Sequence, residues 1–289
     1  MRHAEKPTLN TRLVRRRFER AADSFDAADF VHAYTREGLL SRLQPLRIDA
    51  KIILDLGSAT GSAQRALDRR FGRSHIISVD VAHKMLKKAR KKKAWFAKAS
   101  YVQATAGALP FPDASIDVIF SNLLLPWVDD PKPVFSEVAR VLRQGGLFVF
   151  ATLGPDSLQE IRRAWRQVDD EPHTHRFPDM HDLGDELVHA GLRDPVLDVD
   201  HLTITYKSSA RLFQDLAAAG GRNALLQRRR TLTGKHRFAT MVTELGGDVA
   251  GAEIRLNLEL VFGHCWGGGP KADPANYRID ATEIPLRRR

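Results

Sequence analysis

The stretch ILDLGSATGS, Ile53 to Ser62, decides the fold. Four residues, three of them apolar, run into a turn bounded by Gly57 and Gly61, and helix-forming residues continue from Ser62 to about Phe71. A strand, a glycine turn and a helix in that order open a βαβ unit, and the turn presents backbone N–H groups to a ligand. The turn carries fewer glycines than usual, because Ser58 and Ala59 stand between the two.

Outward from that turn the same alternation repeats. His75–Val79, Tyr101–Ala104, Ile116–Ser121 and Gly146–Thr152 are short apolar runs. Helical patterns separate them, at Ala82–Lys93 and at Pro133–Leu142, the latter stopped by Gly145-Gly146. Continuous apolar strands alternating with helices predict a mostly parallel sheet covered on both faces. Right-handed crossovers make it doubly wound, an α/β Rossmann-like fold.

Residues 11–47 carry apolar positions at helical spacing, closed by Pro45, and predict one or two helices. After Thr152 the pattern loosens. Pro155–Asp169, Asp179–Ala190 and Ala210–Ala219 read as helices, while Val196–Tyr206 and Ile254–Phe262 alternate as strands. The Gly- and Arg-rich stretch 220–253 predicts nothing definite. The organisation expected is an N-terminal helical cap over 1–48 and a cofactor-binding half over 49–153. The rest of the sheet with a helical lid comes next over 154–266, and a mobile basic tail over 267–289.

Bulk composition narrows the class. The chain has 289 residues, 43% of them apolar and 28% charged, which is ordinary for a globular protein. No apolar run reaches the ~18 residues of a membrane helix, and MRHAEKPTLN lacks the apolar core of a secretory signal. Cys265 stands alone, so no internal disulfide forms, and a reducing compartment, the cytoplasm, is expected. A net charge of +10 points to an acidic partner or to a solvated basic surface. The run KMLKKARKKK holds seven basic residues in ten, with Met85, Leu86 and Ala89 left to face the sheet. RNA binding calls for aromatics interleaved with such charges. None lies inside that helix, although Trp95 and Phe96 come directly after it, so nucleic acid is the weaker expectation.

The chemistry of the turn is read by its neighbours. A phosphate P-loop needs Lys after its last glycine, and none stands after Gly61; the dinucleotide fingerprint needs glycines where Ala59 and Ser62 stand. The pattern left is D-x-G-x-x-x-G, with Asp55 two residues ahead of Gly57. A carboxylate there repels pyrophosphate but suits an ammonium. Asp80 ends the next strand, 23 residues after Gly57, where a carboxylate can bind two ribose hydroxyls. S-adenosylmethionine offers an ammonium, a carboxylate and a ribose.

The motifs LDLG…TG, then VD, then ALPFPD…D, then VLRQGGLF, over residues 50–152, resemble class I S-adenosylmethionine-dependent methyltransferases. Within that class, SNLLLPWVDDP, FATLGPDSLQEIRRAW and RFPDMHDLGDELVHAGL are similar to the malonyl-[acyl-carrier protein] O-methyltransferase family of biotin synthesis. So are RRRFERAADSFDAADFV and LELVFGHCWG, and the likeness covers about 20–265.

The resemblance implies methyl transfer to the free carboxylate of malonyl on acyl-carrier protein. A carboxyl with pKa about 4 is already ionised at pH 7, so the reaction calls for positioning and water exclusion rather than a general base. It implies a cofactor site of Asp55, Gly57, Ser58, Gly61, Asp80, Val81, Thr105, Ala106, Asn122 and Leu123. Substrate-side candidates are Asn122, Trp127, Arg162, Arg163 and Arg222. It implies no metal, although His173, His175, His181 and Asp179 lie close together in sequence. It also implies an acidic carrier protein as partner for the basic lid, and no membrane. Two departures stand out. Ala59 is tolerable at a glycine position if its φ is negative, and Thr105 stands where relatives carry Asp against the adenine. A methyltransferase for another small or carrier-bound substrate is the alternative. Further ones are an arginine-hydroxylating assembly factor of respiratory complex I and a non-catalytic assembly or RNA-binding relative.

Overall fold

The computed structural model describes residues 9–72, 74–95, 97–246 and 253–269. Among them a seven-stranded sheet forms from β1 (Ile52–Leu56), β2 (His75–Asp80), β3 (Ala99–Gln103), β4 (Ile116–Asn122), β5 (Leu142–Leu153), β6 (Leu192–Tyr206) and β7 (Ile254–Gly267). Their order is β3-β2-β1-β4-β5-β7-β6, with β7 antiparallel to both of its neighbours and the other pairs parallel. The expected Rossmann-like α/β sheet is therefore present.

Alternation within the strands builds two cores. Ile119, Phe148 and Phe150 face α5 (Pro131–Val141) and α7 (Met180–His189) through Phe135, Leu183 and Leu187. Val118, Phe120 and Phe262 face the opposite way, against α2 (Phe30–Leu43) and α3 (Gln64–Phe71) through Leu39, Leu43 and Leu67. Phe120, Phe135, Phe148, Phe150 and Phe262 are all less than 2% exposed. Each contributes about 1.5–3 kcal/mol by burial.

The remaining helices are α1 (Thr11–Ala21), α4 (His83–Lys92), α6 (Gln159–Arg166), α8 (Ser209–Ala218) and α9 (Lys235–Glu244). Helix α4 buries Met85, Leu86 and Ala89, as its spacing predicts. Helices α6, α8 and α9 pack on the outer ends of β6 and β7 through Trp165, Leu212 and Met241. No helix among the described residues is long and apolar enough to cross a membrane.

Several elements differ from expectation; β6 begins at Leu192 rather than Val196, and β7 runs on to Gly267 rather than Phe262. Helix α5 ends at Val141, before the glycines, because Leu142 already pairs with Ile116; the register then shifts before Val118 pairs with Leu147. Helix α6 starts at Gln159 rather than Pro155, since Leu158 turns to φ +58° and donates its N–H to the Asn257 carbonyl. The stretch 220–253 holds α9, whose apolar face is small. Of the tail, residues 270–289 lie outside the described residues. Cys265 packs in the core, where burial pushes its thiol up to about 12.

Gly263 pairs with Phe150 across the β5–β7 ladder, and a Cβ there would lie 2.4 Å from the Phe150 ring. Gly263→Ala is expected to destabilise the fold by about 1–3 kcal/mol, read by urea unfolding. An unchanged midpoint would show that the ring moves freely.

Candidate active site

Ligand sites in doubly wound sheets lie beyond the carboxyl ends of the strands, where the strand order reverses. Here that point falls between β1 and β4, and a cavity of about 370 Å³ opens there. Its base is the turn after β1. The N–H groups of Gly57 and Ser58 both donate to Val79 O, at 2.9 and 3.0 Å, which ties the turn to β2. Asp80 completes the tie. One of its oxygens accepts from Ala59 N at 2.9 Å, the other from Ala82 N at 2.8 Å.

Those bonds settle the question of Ala59. Its φ is +45°, not negative, so the condition under which alanine sits there without cost is not met. The tertiary bond to Asp80 holds it in the left-handed region at a strain of roughly 1–2 kcal/mol. Gly61 is also left-handed, but it faces away from the cavity. A Cβ on it would lie 2.8 Å from Ala89 Cβ, so this glycine lets the turn approach α4.

Electrostatics sharpen the picture. Asp55 is 2% exposed beneath Gly57, and its Oδ2 has no hydrogen-bond partner. Burial, then the neighbouring Asp80, pushes its carboxyl up to about 7. Burial likewise raises Asp80 to about 6, against the pull of its backbone hydrogen bonds. Two carboxyls that resist ionisation, one with an orphaned oxygen, make a pocket deficient in positive charge. The Ser58 hydroxyl is buried and unpartnered as well.

The far wall comes from β4 and the 3₁₀ turn beyond its end. Asn122 donates its Nδ2 to His32 O at 2.9 Å, while its Oδ1 is buried without a partner. Leu123 adopts φ +56° and donates its N–H to Ala151 O. Trp127 ends the 3₁₀ turn and is held between Phe18 and His175, edge-on to both at 5.2 and 5.0 Å. His175 accepts from Ala224 N through Nε2, so its Nδ1–H donates to Pro126 O and the ring is neutral. Burial keeps it so, with its pKa pushed to about 4.

Most of the expected residues converge. Gly57, Asp80, Val81, Thr105 and Ala106 line the cavity, and so do Asn122, Leu123 and Trp127. Asp55 and Ser58 lie beneath the lining, and Gly61 lies outside it. The candidate arginines do not line it. Arg162 is spent holding Thr174 Oγ1 and the carbonyls of Ser157 and His175, and Arg163 bonds Gln159 on the surface. Arg222 is exposed. Of the loop histidines, His173 stacks on Trp165 at 3.7 Å and bonds Asp169, and His181 lies in the first turn of α7.

Two further lining residues carry no mark in the sequence. His32, on α2, faces the cavity with an unpartnered Nδ1, and burial pushes its pKa to about 4. Phe25 packs edge-on against its ring at 4.9 Å. In sequence both are ordinary members of a helical pattern, and no spacing singles them out.

A family model described as a methyltransferase domain matches residues 54–150. Among solved structures, the YcgJ protein of Bacillus subtilis aligns over 82% of this chain and all of its own, at 18% identity and a TM-score of 0.61. A SAM-dependent methyltransferase of Thermotoga maritima aligns over 88% of this chain and 99% of its own, at 18% identity and a TM-score of 0.50. Fold, cavity and domain match define a class I methyltransferase that uses S-adenosylmethionine. The malonyl-[acyl-carrier protein] O-methyltransferase of Halorhodospira halophila is 37% identical over the whole of both chains. That of Xylella fastidiosa is 38% identical over 97% of this chain and 98% of its own. The chain belongs to the malonyl-[acyl-carrier protein] O-methyltransferase family.

Replacing Ala59 by glycine relieves the left-handed strain while losing some unfolded-state entropy advantage. Ala59→Gly is expected to stabilise the protein by roughly 0.5–1 kcal/mol in thermal unfolding. A loss would mean that the Ala59 methyl, packed beside Phe25 and Met85, outweighs the strain.

Proposed function

We propose that this protein transfers the methyl group of S-adenosylmethionine to the free carboxylate of malonyl-[acyl-carrier protein], the masking step that opens biotin synthesis. The observation that carries this reading is the likeness to the Halorhodospira halophila enzyme over the full length of both chains, lid included, because acceptor choice resides in the lid.

The residues present fit the cofactor. The orphaned oxygens of Asp55 and Asn122 await donors, and the cavity-lining carboxyl of Asp80 keeps lone pairs beyond its two backbone bonds; an ammonium and two ribose hydroxyls supply the donors. In this reading Asp80 holds the ribose. Asp55, with Gly57 and Ser58, shapes the methionine end, Gly61 serves only to let the turn approach α4, and Val81, Thr105 and Ala106 flank the adenine. Thr105 offers a hydroxyl where a carboxylate would take the adenine amine, so the adenine is held mainly by shape.

When bound, S-adenosylmethionine supplies a methyl group activated by its sulfonium. The acceptor carboxylate needs no deprotonation, so this chain's own residues orient and enclose it. Asn122, Leu123 and Trp127 form the wall on the acceptor side. His32 stays neutral, which keeps a second positive charge away from a cationic cofactor. Phe18, Phe25 and Trp127 exclude water from the space between the reactants. In this reading the N-terminal helices, with residues 155–180 and 208–250, serve as lid over the 49–153 half, while β6 and β7 complete the sheet. The basic surface receives an acidic carrier protein, and the free Cys265 suits the cytoplasm.

The test is intact-mass analysis of malonyl-acyl-carrier protein after incubation with enzyme and S-adenosylmethionine. One methyl ester per carrier is expected. Asp80→Asn is expected to lower kcat/KM roughly 10- to 100-fold through the KM for the cofactor, because it removes a charged acceptor. Cofactor binding without any methylation of the malonyl carrier contradicts the assignment.

A further inference from the structure

Helix α1 carries Arg12, Arg15, Arg16, Arg17 and Arg20 with a single acid, Glu19. Glu19 is largely engaged elsewhere. Its two oxygens accept the N–H groups of His83 and Lys84 at 2.7 and 3.0 Å, capping α4, and only Arg15 approaches it, at 4.0 Å. Arg17 is the anomaly among the five. At 100° per residue it falls between Leu13 on one side and Ala21 and Val14 on the other, within the buried face. That face packs on Ala224 and Leu225, and a leucine would be the expected occupant.

The Arg17 Nη1 is buried and has no hydrogen-bond partner. The charges around it are cations, from Arg16, Arg222 and Arg228, and the adjacent His175 is neutral. Burial first, then those three arginines, pushes the guanidinium down to about 10. Arg228 offers only an Nη1 bond to Leu225 O at 3.3 Å, and Arg16 and Arg222 form no hydrogen bond or ion pair among the described residues. Such a gathering of guanidiniums without an anion is unfavourable to the fold by itself. Guanidiniums grouped near one unpartnered Nη1 are suited to the oxygens of a phosphate or carboxylate.

Position decides between those two anions. Val14 and Phe18, the residues flanking Arg17, line the cavity, whereas Arg17 does not. The carboxylate that accepts the methyl must lie inside the cavity. The anion answering Arg17 therefore lies outside it, beside the seam where α1 packs on Ala224 and Leu225. A carrier-borne acyl group brings one such anion at a fixed distance from its thioester, the phosphodiester joining pantetheine to the carrier. We propose that Arg16, Arg17, Arg222 and Arg228 form a receiving site for the phosphate of the phosphopantetheine arm. This rests on the carrier-borne substrate read above, and it assigns Arg222 a phosphate rather than the malonyl carboxylate.

The experiment is titration calorimetry of the protein saturated with S-adenosylhomocysteine, against phosphopantetheine and, separately, pantetheine. The wild type is expected to bind the phosphorylated form roughly 10- to 100-fold more tightly. Arg17→Leu and Arg228→Leu are each expected to erase most of that preference and leave pantetheine affinity unchanged. Arg17→Leu is also expected to raise the melting temperature, since an unpaired guanidinium on an apolar face gives way to an apolar side chain. Equal wild-type affinity for the two ligands overturns the proposal, as does a preference that survives both substitutions. Failure of the wild type to methylate malonyl-acyl-carrier protein is a separate outcome. It removes the carrier substrate but leaves a measured phosphate preference standing.

Discussion

One carboxyl group, Asp80, fastens the turn after β1 to the start of α4, and the active site depends on that joint. Its two oxygens reach Ala59 N and Ala82 N from the end of β2. The joint forces Ala59 into the left-handed region and sets the turn at the base of the cavity. Burial raises both Asp80 and Asp55, and the nearby Asp80 raises Asp55 further, so that neither carboxyl ionises readily in the cofactor-free protein. The fold carries backbone strain and unfavourable charge in the same few residues, as is common where a ligand supplies the missing partner.

The cavity wall around Trp127 is assembled on a different principle. Leu9 N donates to Asp129, Asn10 N donates to Ala224 O, and Trp127 stands between Phe18 and His175. Four segments distant in sequence thus meet around one indole ring. The residues in contact are mostly apolar or neutral, which suits a chamber that must exclude water from a sulfonium and a carboxylate. The uncompensated arginines gather just outside that chamber. The division between a dry interior and a cationic entrance is what an acyl group on a charged, flexible arm requires.

The parts legible in the sequence are those governed by local period. Strands β1, β2, β4 and β5 show as apolar runs because both faces of a parallel sheet are covered, and the Asp55–Gly57–Asp80 spacing comes from the βαβ unit itself. Helix α9 is illegible because KHRFATMVTE buries little beyond Met241 and Val242. The φ of Ala59 departs from expectation because a tertiary hydrogen bond, not its own propensity, sets it. Arg162 looks in sequence like a ligand for an anion, yet it closes the 157–175 segment on itself. His32 and Arg17 escape notice because each reads as one more residue of an amphipathic helix, and only the packed structure shows which way it points.

In the proposed cofactor site, Asp55 and Asp80 are two carboxyls held partly protonated until the cofactor binds. Their pKa values in the cofactor-free protein, about 7 and about 6, lie above the ordinary carboxylate value. A positively charged ligand prefers the ionised pair, so binding lowers those pKa values and expels protons while the pH lies near or below them. Calorimetric titration with S-adenosylmethionine near pH 6, repeated in buffers of different ionisation enthalpy, measures that coupling. Net proton release is expected at that pH, fading as the pH rises well above 7 and reduced in Asp55→Asn. Binding with no proton release near pH 6, or release unchanged in Asp55→Asn, would contradict the role of the pair.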